Sequence, residues 1–197
     1  VGLVSGTCFA DIGNKVYCVD KDKSKILKLN SGQSPIYEPG LDEILVKNYN
    51  AKRLIFTSNV SLAVKNSDII FVCVGTPNKK GSDLVDLHYV FQAIKEVAKH
   101  SKTKKILITK STVPVGTGDE IEKILSKAKK RNFDIVSNPE FLREGEAIRD
   151  FRYPDRIVVG SNNKRVFKVL KKLYQPLINK GAKFFTTSRR GSELIKY

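Results

Sequence analysis

Short apolar runs alternate with amphipathic segments along the whole chain, and this alternation is the feature that most constrains the fold. The apolar runs predict strands at 16–20, 54–57, 68–74, 105–109, 133–136, 156–160 and 183–186. The segments between them predict helices at 1–12, 21–29, 41–50, a short one ending at 65, and 86–100, 117–130, 164–174 and 191–197. Since the strands are apolar on both faces, they predict an α/β fold, a doubly wound, mainly parallel sheet with helices on both faces.

The stretch from Val136 to Gly145 ends one of these strands and carries two carboxylates, Glu140 and Glu144. Spaced four apart, the carboxylates fall on one side of any helical turn built there. Arg143 between them is expected either to orient both acids or to form a salt bridge with Asp150. Ligands of open α/β sheets bind beyond the carboxyl ends of the strands. A ligand site is therefore one interpretation of this stretch, and a charged surface loop is the other.

Two earlier strands also end in polar, turn-forming sequences, at 75–77 and 110–114, and the stretch above adds a third at 138–140. Hydroxyls and backbone N–H groups at such ends suit the riboses and phosphates of a dinucleotide. Any one of the three could be an ordinary turn. Three in succession, each after a buried strand, favour a continuous ligand-binding edge.

The chain of 197 residues is strongly basic, with 36 basic and 20 acidic residues and a net charge of +16. Nucleic acid is the first partner that such a balance suggests. The lysines are, however, scattered along amphipathic segments, and the cluster of Lys127, Lys129, Lys130 and Arg131 falls at a predicted helix end, where cations suit the dipole. A solvated, lysine-rich surface is therefore favoured, and no nucleic-acid partner is expected.

The cysteines Cys8, Cys18 and Cys73 are odd in number and form no C-x-x-C motif, which predicts buried free thiols in a reducing, cytoplasmic environment. No apolar stretch approaches the length of a membrane span and no signal peptide is visible, so no membrane partner is expected. His88 and His100 lie in a predicted helix with no carboxylate or cysteine pattern around them, so no metal site is expected.

The first residues carry part of a nucleotide-binding pattern. Gly2 opens a predicted helix and suits the third glycine of G-x-G-x-x-G, where helix and strand pack closely. Asp20 ends the next strand, where a carboxylate can hydrogen-bond an adenosine ribose, and Lys25 follows one helical turn later. A plain turn residue and a plain surface lysine are the alternatives. The pattern indicates a Rossmann-like site, although half of the fingerprint is absent.

Six motifs together carry a family resemblance. They are VGLVSGTCFA at 1–10, PIYEPGLDE at 35–43, VGTP at 74–77, KSTVPVG at 110–116, SNPEFLREG at 137–145 and PDRIVVG at 154–160. In this combination and order, the chain resembles the nucleotide-sugar dehydrogenases over its whole length. The fifth motif and the PDR run favour the UDP-glucose branch over the GDP-mannose and UDP-N-acetylmannosamine branches.

The resemblance implies an NAD-dependent, four-electron oxidation of UDP-glucose to UDP-glucuronate, through thiohemiacetal and thioester intermediates on a cysteine. It also implies a cytoplasmic homodimer that serves polysaccharide biosynthesis. The alternatives are a dehydrogenase of another nucleotide sugar and a basic nucleotide-binding module without catalysis.

The resemblance implies roles for particular residues. For the cofactor NAD they are Val1 and Gly2 in the glycine-rich turn, Asp20 and Lys25 on the adenosine ribose side, Thr76 and Thr112 along the dinucleotide, and Glu144 at its nicotinamide half. For UDP-glucose they are Glu140, Phe141, Leu142, Arg143 and Lys196. The implied catalytic residues are Glu140, the base that helps water attack the thioester; Thr112, which helps to hold that water; and Lys196, which stabilises negative charge on the sugar oxygen.

Parts of the family pattern are not in this chain. It begins at Val1 and contains no Met, which favours a fragment, and the strand with the first glycines is expected upstream. Residues 1–190 are predicted as an NAD-binding domain, and 191–197 as the start of a helix leading to a C-terminal domain that binds the UDP-sugar. The nucleophilic cysteine is expected there, in a Gly-Gly-x-Cys setting, and is not among the three cysteines of this chain. The chain alone is therefore expected not to turn over.

Overall fold

The computed structural model describes residues 1–130 and 132–196. The helices in these ranges are α1 (Gly2–Asp11), α2 (Lys23–Asn30), α3 (Leu41–Asn50), α4 (Val60–Lys65), α5 (His88–His100), α6 (Thr117–Lys127), α7 (Ala147–Arg152), α8 (Lys164–Leu173), α9 (Gln175–Ile178) and α10 (Arg189–Ile195). The strands are β1 (Val16–Val19), β2 (Leu54–Thr57), β3 (Ile69–Val72), β4 (Lys105–Thr109), β5 (Phe133–Ser137), β6 (Arg156–Ser161) and β7 (Lys183–Thr187).

Helices cover both faces of the larger sheet, as the apolar strands predict. Adjacent residues of one strand point to opposite faces, so Leu107 and Ile135 enter a core with α4, α5 and α6. Their neighbours Ile108 and Val136 enter the opposite core, which includes α1, α7 and α8. The predicted α/β, doubly wound architecture is confirmed.

The strands form two sheets, β1-β2 and β3-β4-β5-β6-β7. All neighbouring pairs are parallel except β5 and β6, where Ser137 pairs antiparallel with Gly160. The sheet is therefore mainly parallel, and a wholly parallel interpretation is wrong. The reason is the connection at 138–155, which contains only the short α7 and stays at the carboxyl end of β5. Since β6 starts at that end, it runs antiparallel to β5.

Local signals set most element bounds. Asn59 caps α4 by accepting a hydrogen bond from the Leu62 N–H at 3.0 Å. In α2, Ile26 and Leu29 are buried, while Leu27 between them is 70% exposed. The short helices α7 and α9 have no counterpart in the sequence prediction.

Two strands are less covered than predicted. Residues of β1 and β3, expected as buried, are mostly half-buried in the structure. Both strands lie at a border of their sheet, where one side has no strand neighbour among the described residues. Within the same ranges, no helix is long and apolar enough to cross a membrane.

Two sequence predictions fall partly on residues that are not described. The basic cluster follows the end of α6 at Lys127 as expected, but Arg131 lies outside the described residues. The last helix begins at Arg189 instead of Gly191, and Tyr197 lies outside the described residues. The division of the chain at residue 190 stays a prediction.

Candidate functional site

The three polar turns lie side by side, because β3, β4 and β5 are parallel neighbours. Backbone and hydroxyl groups join them: the Lys110 N–H donates to the Val72 carbonyl at 3.0 Å, and the Asn138 N–H donates to the Thr109 carbonyl at 3.0 Å. The Ser111 hydroxyl donates to the Val74 carbonyl at 2.6 Å. The predicted strand-end edge, which comprises the turns at 75–77, 110–114 and 138–140, is therefore continuous.

Glu140 and Lys196 meet beyond this edge. The Lys196 ammonium donates to the Glu140 backbone carbonyl at 2.7 Å and to its carboxylate at 3.2 Å. The two side chains are only 20% and 12% exposed, so water screens the pair weakly. A carboxylate and an ammonium in this setting provide a base and an anion-stabilising group side by side.

The ring of Phe141 lies close to two cations, the Lys196 ammonium of this pair and the Arg156 guanidinium. The Arg156 guanidinium lies 4.6 Å from its ring centroid, and the Lys196 ammonium lies 5.4 Å from it. Both distances suit cation–π attraction. The aromatic ring therefore helps to hold both cations beside Glu140.

A cavity of about 500 Å³ opens between the carboxyl end of β5 and the projecting start of β6. It is lined by Glu140, Phe141, Leu142 and Arg143, four residues assigned to the sugar nucleotide by the resemblance, and by Lys110. Its size fits a small-molecule ligand.

Helix α10 holds Lys196 in place through buried polar contacts. The buried Glu193 carboxylate accepts hydrogen bonds from the N–H groups of Gly116 (2.6 Å) and Gly118 (2.8 Å) at the start of α6. The buried Ser192 hydroxyl donates to the Ser137 carbonyl at 3.0 Å. These contacts connect the end of β5 to the helix that carries Lys196.

Glu140 and Glu144 do not share a helical turn, so their four-residue spacing does not place them on one side. Residues 138–143 form no helix, and α7 begins only at Ala147. The Glu140 carboxylate accepts the Leu142 N–H at 2.6 Å, which satisfies that donor without helical geometry. Glu144 is exposed on the following turn.

Arg143 pairs with Asp150, which is one of the two predicted alternatives. Its guanidinium donates to the Asp150 carboxylate at 2.7 and 3.0 Å, and it also contacts Glu146. The hydrogen bonds from Arg143 hold the pKa of the Asp150 carboxyl below its usual value. Arg143 therefore ties its loop to α7, and the contacts that it makes are with these acids and not with Glu140 or Glu144.

Glu38 is a site residue that the sequence prediction missed. Its carboxylate accepts the N–H of Gly145 at 3.0 Å and the N–H of Ala147 at 2.8 Å, so it joins the loop at 33–40 to the turn that carries Glu144. The partners are more than a hundred residues apart, at separations of 107 and 109. No local pattern in the sequence reports such a contact.

Glu38→Ala should loosen this turn, because hydrogen bonds to a charged acceptor hold both amides. Loss of a contact of this type is worth about 1.5–3 kcal/mol, so we expect exchange of the Gly145 and Ala147 amides to quicken about 10- to 100-fold. Hydrogen–deuterium exchange over residues 141–148 measures this. Glu43→Ala, an exposed acid on α3, is the matched control. Unchanged exchange in the Glu38 variant would contradict the assignment.

Gly2 and Asp20, two of the predicted cofactor residues, have surroundings that suit a dinucleotide. A Cβ added at Gly2 would lie 3.2 Å from the Cys73 Cβ, so α1 packs there as closely as its glycine permits. Asp20 follows β1, accepts the Asp22 N–H at 2.9 Å through one oxygen, and lies 3.8 Å from the Lys25 ammonium through the other. Its side chain is 42% exposed, so it can accept ribose hydroxyls.

Three further predicted cofactor residues lie on the same side of the fold. Thr76 and Thr112 stand half-buried in neighbouring turns of the strand-end edge, and Val1 precedes the first turn of α1. A dinucleotide is bound by N–H groups at a helix N-terminus, by hydroxyls and by a carboxylate that accepts the ribose hydroxyls. The residues present therefore fit NAD.

All three cysteines are free thiols; Cys8 is buried as expected, whereas Cys18 and Cys73 are half-buried. Burial raises the pKa of Cys8 to about 12, and that of Cys18 likewise to about 12. Burial also raises the pKa of Cys73, although the neighbouring Lys110 opposes the change. Because the thiolate is the nucleophile, these three side chains are poorly suited to covalent catalysis.

Comparison with known proteins agrees with this site. The profile of the UDP-glucose/GDP-mannose dehydrogenase family, NAD binding domain, matches residues 1–178. A UDP-glucose 6-dehydrogenase of Rhizobium meliloti is 51% identical, with 100% of this chain and 46% of the relative covered. One from Bacillus subtilis is 48% identical, with 100% and 42% covered.

Solved structures show the same relationship. A UDP-glucose dehydrogenase from Pyrobaculum islandicum and a GDP-mannose dehydrogenase from Pseudomonas aeruginosa each superpose with a TM-score of 0.93 at 35% identity. Each alignment covers 100% of this chain and 46% of the solved chain. The chain thus spans about half the length of the relatives it matches. It belongs to the UDP-glucose/GDP-mannose dehydrogenase family, and it matches the NAD-binding domain of that family.

Proposed function

We propose that this chain is the cofactor-binding half of an NAD-dependent dehydrogenase that oxidises UDP-glucose to UDP-glucuronate. The observation that carries the proposal is the Glu140–Lys196 pair beyond the strand-end edge, in a fold that also presents Asp20 after β1 and the start of α1. The curated relatives that are 51% and 48% identical over the length of this chain are named UDP-glucose 6-dehydrogenases, which favours this substrate over GDP-mannose.

The reaction removes four electrons from one carbon. A primary alcohol, two NAD⁺ and one water give a carboxylate, two NADH and three protons. NAD accepts a hydride in each oxidation. The chain's own residues would bind the dinucleotide, hold the sugar beside it and handle charge and protons.

Each site residue has a task in this reaction. Lys196 would stabilise negative charge on the sugar oxygen, and Glu140 would take the proton from the water that attacks the thioester, while Thr112 helps to hold that water. Phe141, Leu142 and Arg143 would line the sugar nucleotide. Glu144 would reach the nicotinamide half, a role supported by its exposed place on the turn that Glu38 fixes.

For the intact protein that carries this chain, we also propose a cytoplasmic homodimer whose product feeds polysaccharide biosynthesis. The resemblance to the family supports both expectations. Sedimentation of the intact protein tests the first of them, since a monomer at micromolar concentration would exclude it.

Substrate choice is tested by NADH formation from UDP-glucose and from GDP-mannose, each with the intact protein. The proposal expects the ratio kcat/KM to be much higher for UDP-glucose. The reverse order would assign the protein to another nucleotide sugar. No NADH with either substrate would instead favour a nucleotide-binding module without catalysis.

Asp20→Ala should weaken NAD binding about tenfold, because a carboxylate that accepts ribose hydroxyls contributes on this scale. Binding of NADP should weaken less or improve, since the charge opposing a 2′-phosphate is gone. Isothermal titration with both nucleotides measures the ratio. Asp22→Ala removes the neighbouring acid that caps α2 through the Ser24 N–H and serves as the control. An unchanged NAD to NADP ratio in the Asp20 variant would overturn the ribose assignment.

A further inference from the structure

Lys110 is a buried cation at the centre of the strand-end edge. It follows β4 directly, is 5% exposed and lines the same cavity as Glu140. The sequence prediction passed over it, although it opens the second of the three polar turns, at 110–114. A buried ammonium costs free energy unless a partner or a function offsets it, so its presence here needs an explanation.

Lys105, at the start of β4, is a second buried lysine, and it has a nearby acid that explains its presence. Lys105 begins β4, is also 5% exposed, and has the Asp68 carboxylate 3.8 Å from its ammonium. Across residues 1–130 and 132–196, no carboxylate oxygen comes within 4.0 Å of the Lys110 ammonium. Glu140, the cavity acid whose charge acts on Lys110, is already paired with Lys196.

We propose that Lys110 is a further anion-stabilising residue of the site, whose ammonium supports negative charge on the substrate's sugar oxygens during oxidation. This inference rests on the proposed function. Among the described residues, the titratable groups whose charges act on Lys110 are Cys73 after β3, Glu140 after β5 and Lys196 after α10. Lys110 and Glu140 line the same cavity, and the Lys196 ammonium pairs with Glu140, so two ammonium groups accompany one carboxylate. This excess of positive charge in a weakly screened setting suits an oxygen that gains negative charge.

Burial gives this residue a measurable signature. It lowers the pKa of Lys110 below the ordinary lysine value, and Lys196 acts in the same direction, while Cys73 and Glu140 oppose it. A lysine with a lowered pKa loses its proton at a lower pH than usual. Activity that needs the ammonium should therefore be complete below that pKa and fall as the pH rises through it, before ordinary lysines titrate.

The test uses the intact protein and follows kcat for UDP-glucose oxidation from pH 7 to 10.5 with saturating NAD. Lys110→Met should lower kcat about 10²-fold at neutral pH, the scale for losing one transition-state donor. Lys110→Arg keeps the charge and should retain more activity, with its alkaline decline moved to higher pH. Lys105→Met is the matched control, with equal burial on the same strand, and should keep the kcat of the parent protein.

Two results would overturn the inference: a Lys110→Met variant with the parent's kcat, or a Lys110→Arg variant whose alkaline decline stays in place. Circular dichroism checks folding, and if Lys110→Met does not fold, the alkaline decline of Lys110→Arg decides alone. Failure of the proposed function is distinct, because the parent protein itself would then form no NADH from UDP-glucose. If the parent instead oxidises GDP-mannose, the same variants test Lys110 on that substrate, and a parent inactive on both refutes the inference as well.

Discussion

Glu140→Gln is expected to lower the steady-state rate of NADH formation about 10³-fold in the intact protein. General base catalysis contributes about 10²–10⁴ to a rate, and the amide of glutamine cannot accept a proton from water. The substitution also leaves one acceptor oxygen where the carboxylate has two, which now serve the Leu142 N–H and the Lys196 ammonium. The first effect, the loss of the base, acts at the step in which water attacks.

The shape of the time course separates that step from the oxidations. If Glu140 serves hydrolysis, rapid mixing should show a burst of about two NADH per site followed by a slow phase. Glu146→Gln removes an exposed acid of the same loop, which contacts Arg143, and should leave the rate near that of the parent. A Glu140→Gln variant with a normal steady-state rate would remove this residue from the mechanism.

Gly160→Ala is expected to displace α10 and to lower both stability and activity. A Cβ at this position would lie 2.4 Å from the Ser192 Cβ, 2.5 Å from the Ser188 carbonyl oxygen and 3.0 Å from the Arg189 Cα. The last two atoms are backbone, so a side-chain rotation cannot relieve the contact. Overpacking of this kind costs about 1–3 kcal/mol.

Activity should fall further than stability, because α10 carries Lys196. A displacement of about 1 Å at a reacting group can cost about 10²-fold in rate. Thermal melting and NADH formation measure the two effects. For melting, Gly75→Ala is the control, since a Cβ there meets no atom within 4 Å. A Gly160→Ala variant that melts and turns over like the parent would contradict the close packing of α10 on β6.

Local patterns predict those elements whose signals are local. Leu41–Asn50, Leu54–Thr57 and Lys105–Thr109 were predicted at the bounds that the structure has, because turn residues and apolar periodicity mark both ends. The direction of β6 could not be predicted in this way. Strand direction depends on the path of the connection at 138–155, and the short α7 within it has too weak a pattern to be recognised.

Some features of the candidate site could likewise be predicted from local sequence patterns, and others could not. The three polar turns were visible because each follows an apolar strand, and their adjacency follows from the parallel order of β3, β4 and β5. The contact between Glu140 and Lys196 joins residues 56 apart, and only the family resemblance assigned both residues to the sugar nucleotide. Glu38, Glu193 and Lys110 were missed because their roles depend on tertiary neighbours, which a single sequence does not report.

The number of NADH formed per UDP-glucose consumed tests the central claim most directly. The intact protein is incubated with a limiting amount of UDP-glucose and excess NAD, while absorbance counts NADH and chromatography identifies the sugar nucleotide. The account predicts two NADH for each UDP-glucuronate formed. One NADH with an aldehyde as the product, or no NADH from UDP-glucose, would contradict it.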